Sequence, residues 1–327
     1  MKSSLRPTTP DDLGPIRQIL RRAFNAGEDA PFLDPAVMRW KYWDRRDDWD
    51  SPRAWVLERD GVITAHVGLW PMSFGALRGV QMIDWASSRE SPGAGLAVVQ
   101  KLDAMFDFIY SIGGSEMTCR ILPALGFREW GRQWRAARPL RPLRQIMSHQ
   151  HRNWKLAARL FRNTGWSMGR SSEGAADEIG PGEFAGSIDR LAAPRDPGFF
   201  EYLLRCPAMK TRLCRIPDGH FVIGVLRGQA RMGGIWLRDA NRDAWRAAYA
   251  IAQQTAAQMN DAIEIVAAGT EGPSADAATI SGLRTVRHVP IYLLNREGKL
   301  DLPPDFQFQL CDDDTFFLDA GRPDYWT

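Results

Sequence analysis

The sequence predicts an α/β fold with mixed sheets, laid out as two domains in tandem, each a twisted mixed sheet flanked by helices. Three observations carry that expectation. From Val80 to Phe127 the hydrophobic period alternates between that of a strand and that of a helix. A hairpin signal, Arg59-Asp60-Gly61 between two apolar runs, precedes this stretch. The second half of the chain then repeats the element order of the first.

The elements follow in order. Met1-Lys2-Ser3-Ser4 leads directly into a strand, and Asp11 to Phe24 reads as a helix with Leu13, Ile16, Ile19, Leu20 and Phe24 on one face. Asn25 to Asp34 is a loop carrying Glu28 and Asp29, either receivers of an amine substrate or ordinary solvated charges. Pro35 to Trp43 is a short helix, and Ala54–Leu57 and Val62–Leu69 are the hairpin strands. Val80 to Ala86 is a strand and Glu90 to Gly95 a turn-rich loop, after which Leu96, Val99, Leu102 and Phe106 recur at helical spacing. Phe108 to Ile112 is a second strand, closed by Gly113-Gly114-Ser115. Met117, Ile121, Leu122 and Leu125 form another helical stripe, stopped by Gly126 as a C-cap. That order asks for a parallel strand pair joined by a crossover helix. Trp130 to Ala137 closes the first domain.

In the second half, Val222 to Trp236 resembles Val56 to Trp70 at an offset of 166 residues, and Phe199 to Leu203 stands where Met38 to Tyr42 does. Helix, strand, helix and strand follow at Asp243–Met259, Ala262–Ala267, Ser274–Leu283 and Val289–Leu294. The expected division is a first domain over residues 1–137, a basic linker and hinge over 138–186, and a degenerate second copy over 187–327. No glycine loop precedes the Asp243 helix, so the second copy is expected not to bind a nucleotide cofactor.

The linker stretch Arg138 to Arg170 holds eight Lys and Arg and no Asp or Glu. A helix over Gln145 to Asn163 would gather Trp154, Ala157, Ala158 and Phe161 on one side. Three readings stand: a linker helix with a solvated basic face, a partner for the acidic run Asp312-Asp313-Asp314, or a peripheral membrane-surface helix anchored by Trp and Phe. Ser171 to Gly186, rich in Gly and Ser, reads as a hinge.

Composition narrows the function classes. Hydrophobic content of 44% and charged content of 25% over 327 residues are those of a globular protein with room for two domains. Forty-two basic against 39 acidic residues leave +3, too little to favour a nucleic-acid partner. Thirteen tryptophans fit aromatic-lined clefts or large aromatic cores. Four cysteines without C-x-x-C spacing and five unclustered histidines predict neither metal site nor disulfide framework, and fit a reducing, cytoplasmic setting. No apolar signal core and no run of about eighteen apolar residues occurs. Nucleophile-elbow, P-loop and dinucleotide fingerprints are absent.

The chemistry concentrates at Pro92-Gly93-Ala94-Gly95, immediately ahead of a helix. Glycines there either permit a tight strand-to-helix turn or free backbone amides at the positive end of the helix dipole to hold a phosphate. With Leu96-Ala97 following, Gly126-Phe127 ending the next helix, and Leu5-Arg6-Pro7-Thr8-Thr9-Pro10-Asp11-Asp12-Leu13 opening the chain, the first 137 residues resemble the GNAT-type N-acyltransferases. The resemblance implies that the loop amides hold the pyrophosphate of acyl-CoA as co-substrate, without a metal. Glu90 and Pro92 depart from that family's basic residues, and Leu122 stands where it often has a tyrosine general acid.

The resemblance further implies an oxyanion-stabilising N–H from Trp85, Ala86 or Ser87, and contacts to the cofactor from Gly93, Ala94, Gly95, Leu96 and Ala97. Ser115 is best read as a helix N-cap, with a secondary cofactor contact implied by the family. Asp84, the one charged residue inside its strand, is either a general base with a pKa raised by burial or a carboxylate satisfied by its neighbours. His66 is either a base or substrate contact, or structural. The tandem layout also resembles acyltransferase-like proteins of bacterial polysaccharide biosynthesis, implying an amino-sugar acceptor. Two other readings remain open. One is a non-catalytic scaffold of this fold that docks to a membrane-associated complex through the basic linker. The other is a transferase of amino acids from charged tRNA, which would require steeply salt-dependent RNA binding.

Overall fold

The computed structural model describes residues 3–148, 153–163, 175–184, 191–319, 321 and 325–327. The strands are β1 Ser3–Pro7, β2 Ala54–Arg59, β3 Val62–Phe74, β4 Leu77–Ser87, β5 Phe108–Ile112, β6 Arg128–Pro139, β7 Asp177–Glu178, β8 Lys210–Ile216, β9 Gly219–Leu226, β10 Gln229–Leu237, β11 Glu264–Thr270 and β12 Arg284–Leu294. The helices are α1 Leu13–Ala23, α2 Pro35–Tyr42, α3 Ala94–Asp103, α4 Glu116–Ile121, α5 Pro142–Ser148, α6 Trp154–Asn163, α7 Pro197–Leu204, α8 Arg242–Gln258 and α9 Pro273–Ile280.

The chain forms two compact units, and neither is continuous in sequence. The first comprises Met1–Gly131 and Pro290–Leu302, the second Arg132–Val289 and Pro303–Thr327.

In the first unit β1, β2, β3 and β4 pair antiparallel in sequence order. Strand β4 then pairs β5 in parallel over three residues, Gly79–Gln81 against Phe108–Tyr110. Beyond that point β4 continues to Ser87 without β5, as a crossover through α3 requires if a gap is to open between two parallel strands. The end of β12 completes the sheet, Ile291–Leu294 pairing antiparallel with Ile112–Ile109. Side chains alternate across it: Ala65, Val67 and Leu69 of β3 pack with Val98, Val99 and Leu102 of α3. Ile16 and Leu20 of α1 and Met38 and Tyr42 of α2 pack with Val56 and Ala86. Burial trims the helical stripes expected from sequence, because Phe24, Leu96 and Met117 are exposed and Phe106 lies past the end of α3. Gly126 does stop its helical segment, in the left-handed conformation with its N–H on Pro123 O.

In the second unit β6, from Arg132 onward, pairs antiparallel with β11. Next come β10, parallel to β11 over Gln229–Arg231, and then β9, β8 and β7 in antiparallel succession. Helix α8 is the crossover between β10 and β11. This corrects the alignment of the repeat. The hairpin at Arg227-Gly228 joins the two strands before the crossover helix, whereas the hairpin at Asp60-Gly61 joins β2 to β3, one strand earlier. Both turns place two successive residues at positive φ (48° and 83°, 46° and 85°). Shared turn chemistry, not shared position, makes the sequences look alike.

The basic stretch is two helices, α5 and α6, rather than one over Gln145–Asn163; residues 149–152 between them lie outside those described, as do 164–174 and 185–190 of the linker and hinge. Leu156 and Leu160 form the buried face of α6, while Trp154 and Phe161 are exposed. Two members of the acidic run have partners elsewhere in the second unit. Asp312 binds Arg195 at 2.5 Å and Asp313 binds Arg135 of β6 at 2.6 Å, all four side chains buried.

Candidate functional site

The residues expected to matter fall into two neighbouring clusters at the far end of β4, with three outliers. The first cluster centres on Asp84. Opposite β3 the register slips, His66 facing Ala86 and Gly68 facing Ile83, so β4 bulges at Asp84-Trp85. Asp84 has φ +48°, a conformation that costs a non-glycine residue about 1–2 kcal/mol. Its surroundings hold it there. Lys41 Nζ and the Tyr42 hydroxyl, both from α2, each donate to Asp84 Oδ2 at 2.5 Å. His66 Nδ1 lies 3.1 Å from the Asp84 carbonyl oxygen, so that nitrogen carries the proton and donates. The Tyr42 and His66 rings meet edge to face at 5.1 Å.

Helix α2 is itself pinned. Asp34 caps its first amides, at Ala36 and Val37, and the buried Arg53 guanidinium donates to the carbonyls of Lys41 (2.8 Å) and Asp44 beyond its other end. Lys41 and Tyr42 are therefore delivered to Asp84 by a short helix fixed at both ends.

The electrostatics follow from burial. Asp84 is 8% exposed and His66 fully buried. Burial alone would raise the Asp84 carboxyl, but the Lys41 charge and the two hydrogen bonds outweigh it and hold the group below the ordinary carboxylate range. Burial lowers His66 to about 4, only partly opposed by the Asp84 charge. His66 is thus neutral near pH 7, and its Nε2 is buried without a hydrogen-bond partner among the described residues. Of the two readings of Asp84, the geometry matches a satisfied carboxylate. Both bonds fall on Oδ2, and a carboxyl held below the ordinary range is a weak base for an amine's proton.

The second cluster is the glycine turn. Ser88 N–H bonds Thr64 O at 2.8 Å, and Ser91 N–H returns to Ser88 O at 3.2 Å. Gly93, at φ +80°, is the N-cap of α3 and brings no side chain, and a Cβ built there would meet nothing within 4 Å. Ala94 N–H is satisfied by Ser91 O and Ala97 N–H by Gly93 O. The amides of Gly95 and Leu96 have no acceptor among the described residues, so the positive end of α3 keeps two unsatisfied donors. The Trp85 indole donates to Gly95 O at 3.2 Å, and a Cβ on Gly95 would lie 3.2 Å from that nitrogen and 3.5 Å from Ser87 Oγ. Gly95 is glycine because β4 passes so close. Trp85, Ser87, Gly93, Ala94 and Gly95 are thereby brought together, with Leu96 and Ala97 on the following turn and Ala86 buried behind.

Glu90 is exposed on this turn and accepts a hydrogen bond from Ser88 Oγ. That bond, helped by the charges of Arg22 and Arg89, keeps its carboxyl below the usual range. Pro92 is exposed, and Leu122 is fully buried in the apolar core. Ser115 caps α4, its Oγ accepting from Thr118 N–H at 3.1 Å. Glu28 pairs with Arg21 on the surface. Among the described residues, neither Ser115, Glu28 nor Asp29 makes a hydrogen bond or ion pair with either cluster. No group of three His, Cys, Asp or Glu among the described residues could hold a metal ion, and no helix among them is long and apolar enough to cross a membrane.

In the second unit the equivalent helix end is closed. Asn241 Oδ1 accepts from Asp243 and Ala244 N–H, both at 3.0 Å, and so occupies the α8 amides that an anion would need.

Sequence reasoning missed Lys41 and Tyr42. A lysine on a short amphipathic helix reads as solvated, and only the i, i+1 step at the end of α2 beside a lone strand aspartate hinted otherwise.

The units have the GNAT-type acyltransferase fold, present in tandem. No protein-family profile and no curated protein sequence matches the chain. Among solved structures it is similar to a candidate acetyltransferase from Pyrococcus horikoshii, with 14% identity, TM-score 0.57, and 98% and 96% of the two chains covered. It is also similar to the N-myristoyltransferase of Saccharomyces cerevisiae solved with bound myristoyl-CoA (10%, 0.57, 90% and 82%). A tandem GNAT protein from the clavulanic acid biosynthesis pathway matches at 10% identity and TM-score 0.50, covering 90% and 98%.

Proposed function

We propose that the first unit binds acyl-CoA and transfers its acyl group to an amine, while the second unit binds no nucleotide. One observation carries this reading: α3 begins at a side-chain-free cap with two unsatisfied amides, beside a bulged strand end, whereas α8 is sealed by Asn241. The pyrophosphate would sit on the Gly93–Ala97 turn. An N–H from Trp85 to Ser87 would stabilise the tetrahedral oxyanion as the amine adds to the thioester carbonyl and the thiolate leaves. In this reading Asp84 and His66 are positioning residues that hold the bulge, and the acceptor loses its proton to solvent. The rate should then rise with pH along the acceptor amine's own titration. An amino sugar is the acceptor class we would screen first, on the tandem layout alone.

Calorimetric titration with CoA and acetyl-CoA tests the reading. We expect micromolar binding by the wild type, weakened at least about tenfold by Leu96→Asp and lost in Gly95→Glu. Leu96 is exposed, and an acid in the first turn suits a helix, so that variant should fold normally. The glutamate at 95 meets Trp85 and needs its own folding check. No binding by a folded wild type would favour the scaffold reading, which Glu90 at the turn and the absence of a hydroxyl at Leu122 support.

A further inference from the structure

The surface of α5 and α6 carries large exposed apolar side chains. Leu143 and Trp154 are 64% and 76% exposed, far beyond what a helix seated on a core leaves to solvent. At 100° per residue, α6 divides into three sectors. Leu156 and Leu160 share the buried sector. Trp154 and Phe161, seven residues apart, share an exposed apolar sector with Ala158 between them. Lys155, Arg159 and Arg162 occupy the exposed sector beside it. Among the described residues these three cations have no acidic partner, and the Arg162 side chain turns back to the Ala158 carbonyl at 3.1 Å. The neighbouring α5 adds Arg144, which reaches the Asn260 carbonyl.

We propose that α6, with α5 beside it, docks on an anionic lipid surface. An apolar stripe topped by tryptophan and bordered on the solvent side, among the described residues of α6, by Lys155, Arg159 and Arg162 matches the two layers of a membrane interface. Acyl chains and glycerol lie beneath, and phosphate lies above. Charge complementarity selects the partner: a neutral surface would satisfy the stripe and leave the cations idle. The inference is independent of acyl-CoA binding and survives its failure.

The test is co-sedimentation of the full chain with vesicles of phosphatidylcholine alone and of phosphatidylcholine with about one third phosphatidylglycerol. We expect binding to the anionic vesicles alone, reversed by high salt. It should weaken about tenfold in Trp154→Ala and again in the Lys155→Glu, Arg159→Glu double variant. These side chains are exposed, so thermal midpoints should match wild type and loss of binding will not be loss of fold. The proposal is overturned by no binding, by equal binding to both vesicles, or by binding that the variants leave intact. It is equally overturned if the segment instead retains RNA with a steep salt dependence and ignores vesicles.

Discussion

Asp84 shows how one residue's conformation is held by three groups from two other elements. Two donors from α2 take its carboxylate and one from β3 takes its carbonyl, which keeps a positive φ in place. Asp84→Asn leaves Lys41 buried without its counter-charge and should cost about 3–5 kcal/mol in denaturant unfolding. Partial recovery is expected when Lys41→Met is added. His66 makes a pH prediction. Its pKa in the fold, about 4, lies below the ordinary 6.5, so the unfolded chain binds the proton more readily. The stabilising effect is full above about pH 6.5, erodes as the pH falls, and is exhausted near pH 4. Between pH 7 and pH 5 stability should drop by about 2 kcal/mol from this group, and His66→Gln should flatten that slope. Asp84 and His66 were visible in the sequence as polar residues inside strands. Their partners were not, because the contacts depend on where α2 lands.

At the scale of elements, the contrast between α3 and α8 was legible, since the glycine turn and its absence before residue 243 can be read directly. The device closing α8 is a single side chain. Asn241→Ala should destabilise the second unit by about 1 kcal/mol, measured as a lowered unfolding midpoint, without conferring CoA binding, because no glycine turn lies behind the cap. The repeat was legible but misaligned by one strand. Residues 222–236 and 56–70 share a hairpin turn, and turn residues are stronger sequence signals than strand order. Strand β8, which opens on Lys210-Thr211-Arg212 and carries Arg215 near its end, gave no apolar run to notice.

The two units trade segments, and nothing local in the sequence announces it. Residues 289–294 read as the last strand of a second copy, yet Ile291–Leu294 pair with β5, and Tyr292 and Leu294 join the core of the first unit. A strand's own residues specify its faces but not its neighbour. A fragment of residues 1–131 would leave Ile109–Ile112 as an unpaired apolar edge. Such a fragment should aggregate or unfold without cooperativity by circular dichroism, and adding a peptide covering 284–302 should restore a sharp transition.

Synthesis feels the same arrangement. A ribosome that has made the first 131 residues must add almost 160 more before the missing strand of that unit exists. At about 5–20 residues per second that is a wait of roughly ten to thirty seconds. Throughout it the nascent sheet carries an open hydrophobic margin, which makes it a natural client for chaperones that hold chains near the exit tunnel.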